Sequence, residues 1–385
     1  MSRTVKNEFY QFFPPELHLH VDRLSDESLT LWREIRNNEQ YFHNSSNPSF
    51  SDFSNILSRV VEKNLINDPE FVWLAAKAGV ITGQLSRVLD FSWKFNHPGL
   101  RAQAAVALAF KGQTNEALEL LRAAEKEAEI LAAQNPNDLE ILVEINGSRA
   151  FTLTVLKKFQ EAIGEYLKAS QVSEPETRLI QWLQQARVRH AYSLLKLSYT
   201  TDALTVYQKV LDIANEANDR FYKAQGLNGI GHCLDRIGKT DEALEMYSKA
   251  LVESESIQAI NITSIILNRV GMATAWRKKE LDESIDYFRR AIASAQEGGS
   301  SWLEFGPMAN LAIVKKMKGA YFEAGELFEA VKDRTINTES GDLNDQLFAY
   351  MNLADIYQEL GDVERANESK RIAQNLAKQL RNDSS

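Results

Sequence analysis

The chain has 385 residues and a formal net charge of −9, and its 18 glycines and 8 prolines are too few to punctuate many short strands. The acidic balance argues against general affinity for nucleic acid or for an acidic membrane surface. The single cysteine, Cys233, excludes an internal disulfide and any cysteine-based zinc site. Neither a signal-like apolar run nor a stretch of about 18 apolar residues occurs, so a cytoplasmic location without a membrane partner is expected.

Residues 1–24 read as irregular: Phe9, Tyr10, Phe12 and Phe13 cluster ahead of Pro14 and Pro15, and the prolines forbid a continuous helix. Residues 25–98 form an N-terminal helical region. Leu29, Trp32, Ile35 and Phe42 mark a short helix, and Phe53, Ile56, Leu57, Val60 and Val61 mark a second that begins near Ser51 or Asp52. Asp68 before Pro69 is an N-cap with proline in the first helical turn. From there one long helix is expected through Trp73, Leu74, Ile81, Leu85, Val88 and Leu89 towards Phe95, broken by His97, Pro98 and Gly99.

Across residues 99–381 one helical hairpin recurs seven times. Its clearest copy is Leu227 to Val252. There Gly231, Ala243 and Ala250 are small where two helices approach, Gly238 ends the first helix and Thr240 opens the second. Small residues near the start of each second helix, Ala117, Ala162, Ala203, Ala243, Ser284, Ala324 and Ala366, are spaced by 45, 41, 40, 41, 40 and 42. A period that steady marks a repeat array. Four residues after most anchors comes a large side chain (Leu121, Tyr166, Tyr207, Tyr247, Phe288, Phe328), and seven after comes a small one or a valine. In the fifth copy Gly271 lies one residue further from its anchor, so the turn RKKELDES carries an insertion.

This small, small, aromatic, small signature resembles the tetratricopeptide repeat, in a long form of about 40 residues similar to the repeats of kinesin light chain and of Rap-type regulators. The resemblance implies an all-α fold: a right-handed superhelical α-solenoid of seven hairpins with an N-terminal helical cap and a polar final helix. It also implies a concave inner wall lined by set positions of each first helix. Carried onto this chain, those positions hold Arg189 and Tyr192 in the third copy, and Asn228, His232, Asp235 and Arg236 in the fourth. They hold Asn268, Arg269 and Trp276 in the fifth, Asn310 and Lys316 in the sixth, and Asn352 and Asp355 in the seventh. Arginine and lysine suit carboxylates, asparagine suits an extended peptide backbone, and Trp276 offers a flat anchor.

The corresponding positions of the first two copies are largely apolar: Gln103, Val106, Ala109 and Phe110, then Ser148, Phe151, Thr154 and Val155. The N-terminal helices, with Trp32, Trp73 and Trp93, are expected to cover them. His18 and His20 have the HxH spacing that resembles the first metal-binding strand of adenosine-deaminase-like amidohydrolases. The remaining histidines, His43, His97, His190 and His232, do not extend that pattern. There is no P-loop, dinucleotide fingerprint or nucleophile elbow. The reading is therefore a non-enzymatic adaptor or sensor, with no cofactor or metal, whose groove holds an extended, partly acidic peptide or protein tail. The alternative, from the Rap-type resemblance, is a peptide-regulated protein acting on a response regulator through its N-terminal helices.

Overall fold

The computed structural model describes residues 13, 15–21, 23–36, 50–135, 138–171, 177–299, 301–337 and 343–382. Phe9, Tyr10, Phe12 and Phe42 lie outside them. The described residues form helices joined by short turns, with no strand among them. None of the described helices is long and apolar enough to cross a membrane. The chain divides into two compact units, residues 1–259 and 260–385.

The first unit opens with a 3-10 turn, Pro15–Leu17, running into the four-residue helix His18–Val21. The HxH pair therefore stands on a helix and not on a strand, and residues two apart on a helix point to different sides. His20 is buried, and the His18 ring nitrogen Nε2 lies 2.8 Å from the Phe13 carbonyl oxygen. Helices Asp26–Arg36 and Phe50–Glu62 follow. Phe13, Trp32, Phe53 and Phe71 make a knot of rings with centroids 5.4 to 5.8 Å apart.

Asp68 caps the next helix by accepting the Glu70 amide hydrogen bond, with Pro69 in the first turn as the sequence requires. The long helix expected from here divides into Pro69–Thr82 and Leu85–Lys94. Gly83 makes the break at φ +78, a left-handed conformation that side chains disfavour. The break also redirects Trp93, which is 82% exposed while Trp32 and Trp73 are fully buried. Trp93 thus takes no part in covering the first repeats.

From Pro98 the first unit continues as helix pairs: Pro98–Phe110 with Thr114–Gln134, Leu139–Val155 with Phe159–Gln171, Thr177–Lys196 with Thr200–Glu216, and Arg220–Arg236 with Thr240–Ser256. In the second unit Ile260–Met272 precedes Leu281–Glu297, Ser301–Met317 precedes Tyr321–Asn337, and Leu343–Glu359 precedes Val363–Asn382. The register read from sequence is visible in burial. Ala117, Ala162, Ala203, Ala243, Ser284 and Ala324 are all 0% exposed, and Leu121, Tyr166, Tyr247, Phe288 and Phe328 are at most 1% exposed. Ala366 in the last pair is only partly covered, because the polar helix that carries it has one packed face.

Glycine sets the closeness of the best copy. A Cβ on Gly229 would stand 2.2 Å from the Tyr207 ring of the preceding repeat, and one on Gly231 would stand 2.7 Å from Tyr247 of its own. Each aromatic therefore lies directly on helix backbone. The extra residue of the fifth copy is absorbed upstream of the turn, as a π-helical stretch over Ala273–Lys278 closed by Lys279 at φ +66. A single-residue insertion widens one helical turn and leaves the flanking register intact.

Candidate functional site

In the first unit, Gln185, Arg189, Tyr192 and Lys196 follow one another at helical spacing on Thr177–Lys196. The Arg189 guanidinium lies over the Phe151 ring at 4.3 Å, so the expected inner positions of two successive repeats share one face. Lys196 Nζ sits 5.1 Å from the Tyr192 ring centre. On the next first helix Asn228 is only 8% exposed and faces neighbouring helices more than an open wall, while His232 is half-buried. Arg236 is exposed, yet one of its nitrogens donates to the Leu195 carbonyl at 2.9 Å. It thereby adds a second hydrogen bond to a helix-end carbonyl of the preceding repeat that already accepts from the Ser198 amide, tying the two repeats together.

In the second unit the asparagines meet. Asn310 Nδ2 donates to Asn268 Oδ1 at 2.9 Å, joining the fifth and sixth copies. Lys316 Nζ donates to Asp355 Oδ2 at 2.9 Å and lies 3.4 Å from Asn352 Oδ1, joining the sixth and seventh. Asn352 Nδ2 in turn donates to the Phe348 carbonyl. Asn268 with Asn310, and Lys316 with Asn352, thus form two links between successive repeats, all four side chains at least half-buried. Arg269 is half-buried beside Asn268 in sequence. Trp276 departs from the expected role: the π-helical turn directs it into the packing, with its ring edge-on to Phe288 at 5.9 Å. It is half-buried against that cluster, so part of its ring is engaged in packing and it is not a free platform.

A buried ionic network of the first unit was not anticipated. Arg23 forms a fork with Glu70, at 2.9 Å from Nε and 2.7 Å from Nη2, and also donates to Glu140 at 2.8 Å and Asp138 at 3.2 Å. Its guanidinium lies 5.8 Å from the Trp73 ring centre. The His97 imidazole stands 3.7 Å from Glu70. Burial raises the Glu70 carboxyl, but hydrogen bonds from His97 and Arg23 more than reverse this and bring it to about 2.

One layer further in, the Lys77 ammonium donates to Glu144, both side chains being at most 4% exposed, and Gln103 Nε2 donates to the same carboxylate at 3.3 Å. Burial pulls the Lys77 pKa down. It also pushes the Glu144 carboxyl up, but nearby charges, that of Lys77 foremost, outweigh this and hold it below the ordinary value. His20 packs edge-on to Trp73 at 4.6 Å, and burial, with the Lys77 charge beside it, pushes its pKa down to about 3. The sequence did carry a signal for this. Lys77 is the one charged residue in the apolar run from Phe71 to Thr82, and a lone charge on a buried helix implies a buried partner.

Two tetratricopeptide repeat family models match the chain, over residues 182–251 and 349–369. No curated protein matches it. Among solved structures, the apo form of RapI is 17% identical with a TM-score of 0.51, over 69% of this chain and 92% of that one. Aspartyl phosphate phosphatase F from Bacillus subtilis is 14% identical with a TM-score of 0.51, over 92% of this chain and 95% of that one. A Rap protein complexed with competence and sporulation factor is 16% identical with a TM-score of 0.49, over 93% of this chain and all of that one. At these identities the likeness is one of fold. The chain is a tetratricopeptide-like repeat protein. In such a repeat protein each hairpin packs only on its neighbours, and the faces left open serve as interaction surfaces.

Proposed function

We propose that this repeat protein is a non-enzymatic adaptor or sensor that holds an extended, partly acidic peptide or protein tail along its first helices, in the reducing cytoplasm. The observation that carries the reading is the pair of links between successive first helices, Asn268 to Asn310 and Lys316 to Asn352 and Asp355. Each asparagine amide has more donors and acceptors than these contacts use, and a peptide backbone matches the remainder. The Lys316 ion pair is with a mostly exposed carboxylate, worth at most about 1 kcal/mol. An incoming carboxylate can therefore replace Asp355 at small cost. Arg189, Tyr192 and His232 supply the like-minded surface of the first unit.

The test is panning of a random peptide library on the immobilised full chain, then titration of enriched peptides. Asn310→Ala and Lys316→Glu are each expected to weaken binding by about 10-fold or more. Absence of any enriched peptide, or affinities indifferent to both changes, removes the reading.

The full-length likeness to a structure named as an aspartyl phosphate phosphatase supports a second reading, in which the N-terminal helices act on a phosphorylated response regulator. Mixing the chain with an acetyl-phosphate-labelled response regulator decides it. Loss of the phosphoryl group at a rate proportional to added protein supports this reading, and decay at the spontaneous rate discards it.

A further inference from the structure

The described residues of 15–24 have the character of a bound peptide. Their helix is four residues long, far below the roughly 12 to 15 residues at which an isolated helix becomes even marginal, so its order comes from what it touches. Three apolar side chains enter the core: Leu17 and Val21 at 0% exposure and Leu24 at 2%. One basic side chain, Arg23, is then taken by three carboxylates. Glu70 comes from the Pro69–Thr82 helix, while Asp138 and Glu140 lie at the start of Leu139–Val155.

Three carboxylates converge on one guanidinium, and without the arginine they would repel one another across the join. The receiving surface is shaped for this side chain in a second way. A Cβ on Gly99 would lie 2.4 Å from Trp73 Cε2, so glycine lets the indole lie flat against the Pro98–Phe110 helix, within cation–π distance of Arg23. The fork to Glu70 with further bonds to Glu140 and Asp138 is recognition that a lysine could not reproduce.

We infer that residues 15–24 are an intramolecular ligand that masks an arginine-reading site made by Glu70, Asp138, Glu140 and Trp73, and that a short apolar segment bearing one arginine takes the same place when this segment leaves. The site is separate from the Asn268 to Asn352 face and does not depend on the function proposed for that face. The charge preference is also opposite: this site reads a cation.

The experiment uses the full chain carrying Arg23→Ala and a fluorescent synthetic peptide of residues 15–25. In the variant, amide protection of residues 17–24 is expected to fall at least 10-fold, with the helices from Phe50 to Lys94 and from Leu139 to Ser256 unchanged. The peptide is expected to bind the variant at least 10-fold tighter than the wild-type chain, and an Arg23→Glu peptide is expected not to bind. Unchanged protection overturns the inference, as does local loss without peptide uptake. Should Arg23→Ala lose helicity as a whole, Leu24→Ala, which trims an apolar anchor of the segment and leaves the receiving carboxylates intact, is measured in its place with the same expectations. Global unfolding of that variant too identifies the segment as ordinary core and overturns the inference.

Discussion

Lys77→Met is expected to cost the first unit about 3 to 5 kcal/mol, because it leaves the Glu144 carboxylate buried without its counter-ion. Glu144 is 3% exposed, and after the substitution its remaining hydrogen-bond partner is the neutral Gln103 amide, with the Arg189 charge acting only as a lesser electrostatic contribution. The carboxylate must then either stay ionised in a poor dielectric or take up a proton, and both are unfavourable. Converting both partners, Lys77→Met with Glu144→Leu, removes the charge altogether. That double variant is expected to recover most of the loss, short of roughly 1 to 3 kcal/mol for the Gln103 donor it orphans. Urea titration read by amide exchange in Pro69–Thr82 and Leu139–Val155 measures both. Equal stability of the single and double variants would mean that the unpaired Glu144 carboxylate is not what costs the single variant its stability. The size of the effect follows from position: the pair joins a helix ahead of the repeats to the second repeat, within one apolar cluster that runs from Phe13 to Ala186.

That pair also shows where the sequence was legible and where it was not. The repeat register could be read because it rests on a local, periodic constraint: a small residue where two backbones approach and a ring four positions later. Burial of Ala243 and Tyr247 follows directly. The division of the 69–94 segment was less visible, since Gly83 sits in a run whose apolar spacing continues unbroken through it. The π-helical turn at Trp276 was legible as an extra residue but not in its placement, which depends on how the indole packs on Phe288. Arg236 was read as a groove cation, whereas its hydrogen bond to Leu195 requires knowing which carbonyl ends nearby. The Arg23 and Lys77 networks pair residues 47 to 117 positions apart, and nothing periodic announces such partners. Periodicity therefore reports stacking well, while long-range polar pairing has to be seen.

Acidification from pH 7 to 5 is expected to weaken the seating of the N-terminal segment by about 2 kcal/mol through His20 alone. The groups around this imidazole are the Trp73 ring and the charges of Lys77, Glu144, Glu70 and Arg23. Burial is the largest cause of its low pKa, near 3 in place against an ordinary 6.5. The sign follows from those two values. Above pH 6.5 the ring is neutral both seated and free, so pH has no leverage through it. Below 6.5 only the free segment takes up the proton, and each unit of acid favours release by about 1.4 kcal/mol until the seated ring titrates near 3. Glu70, held at about 2, and Glu144, held below its ordinary value, stay ionised over pH 5 to 7 and contribute little there. His190 is also lowered, chiefly by burial, and adds a loss of the same sign elsewhere in the first unit. The measured quantity is therefore the difference between wild type and His20→Leu, which removes the titrating ring but keeps an apolar side chain against Trp73. Amide exchange of residues 17–24 between pH 7 and 5, corrected for the intrinsic rate, should show the wild type losing protection and the variant losing much less. Equal losses in the two chains would place the acid sensitivity of the segment outside His20.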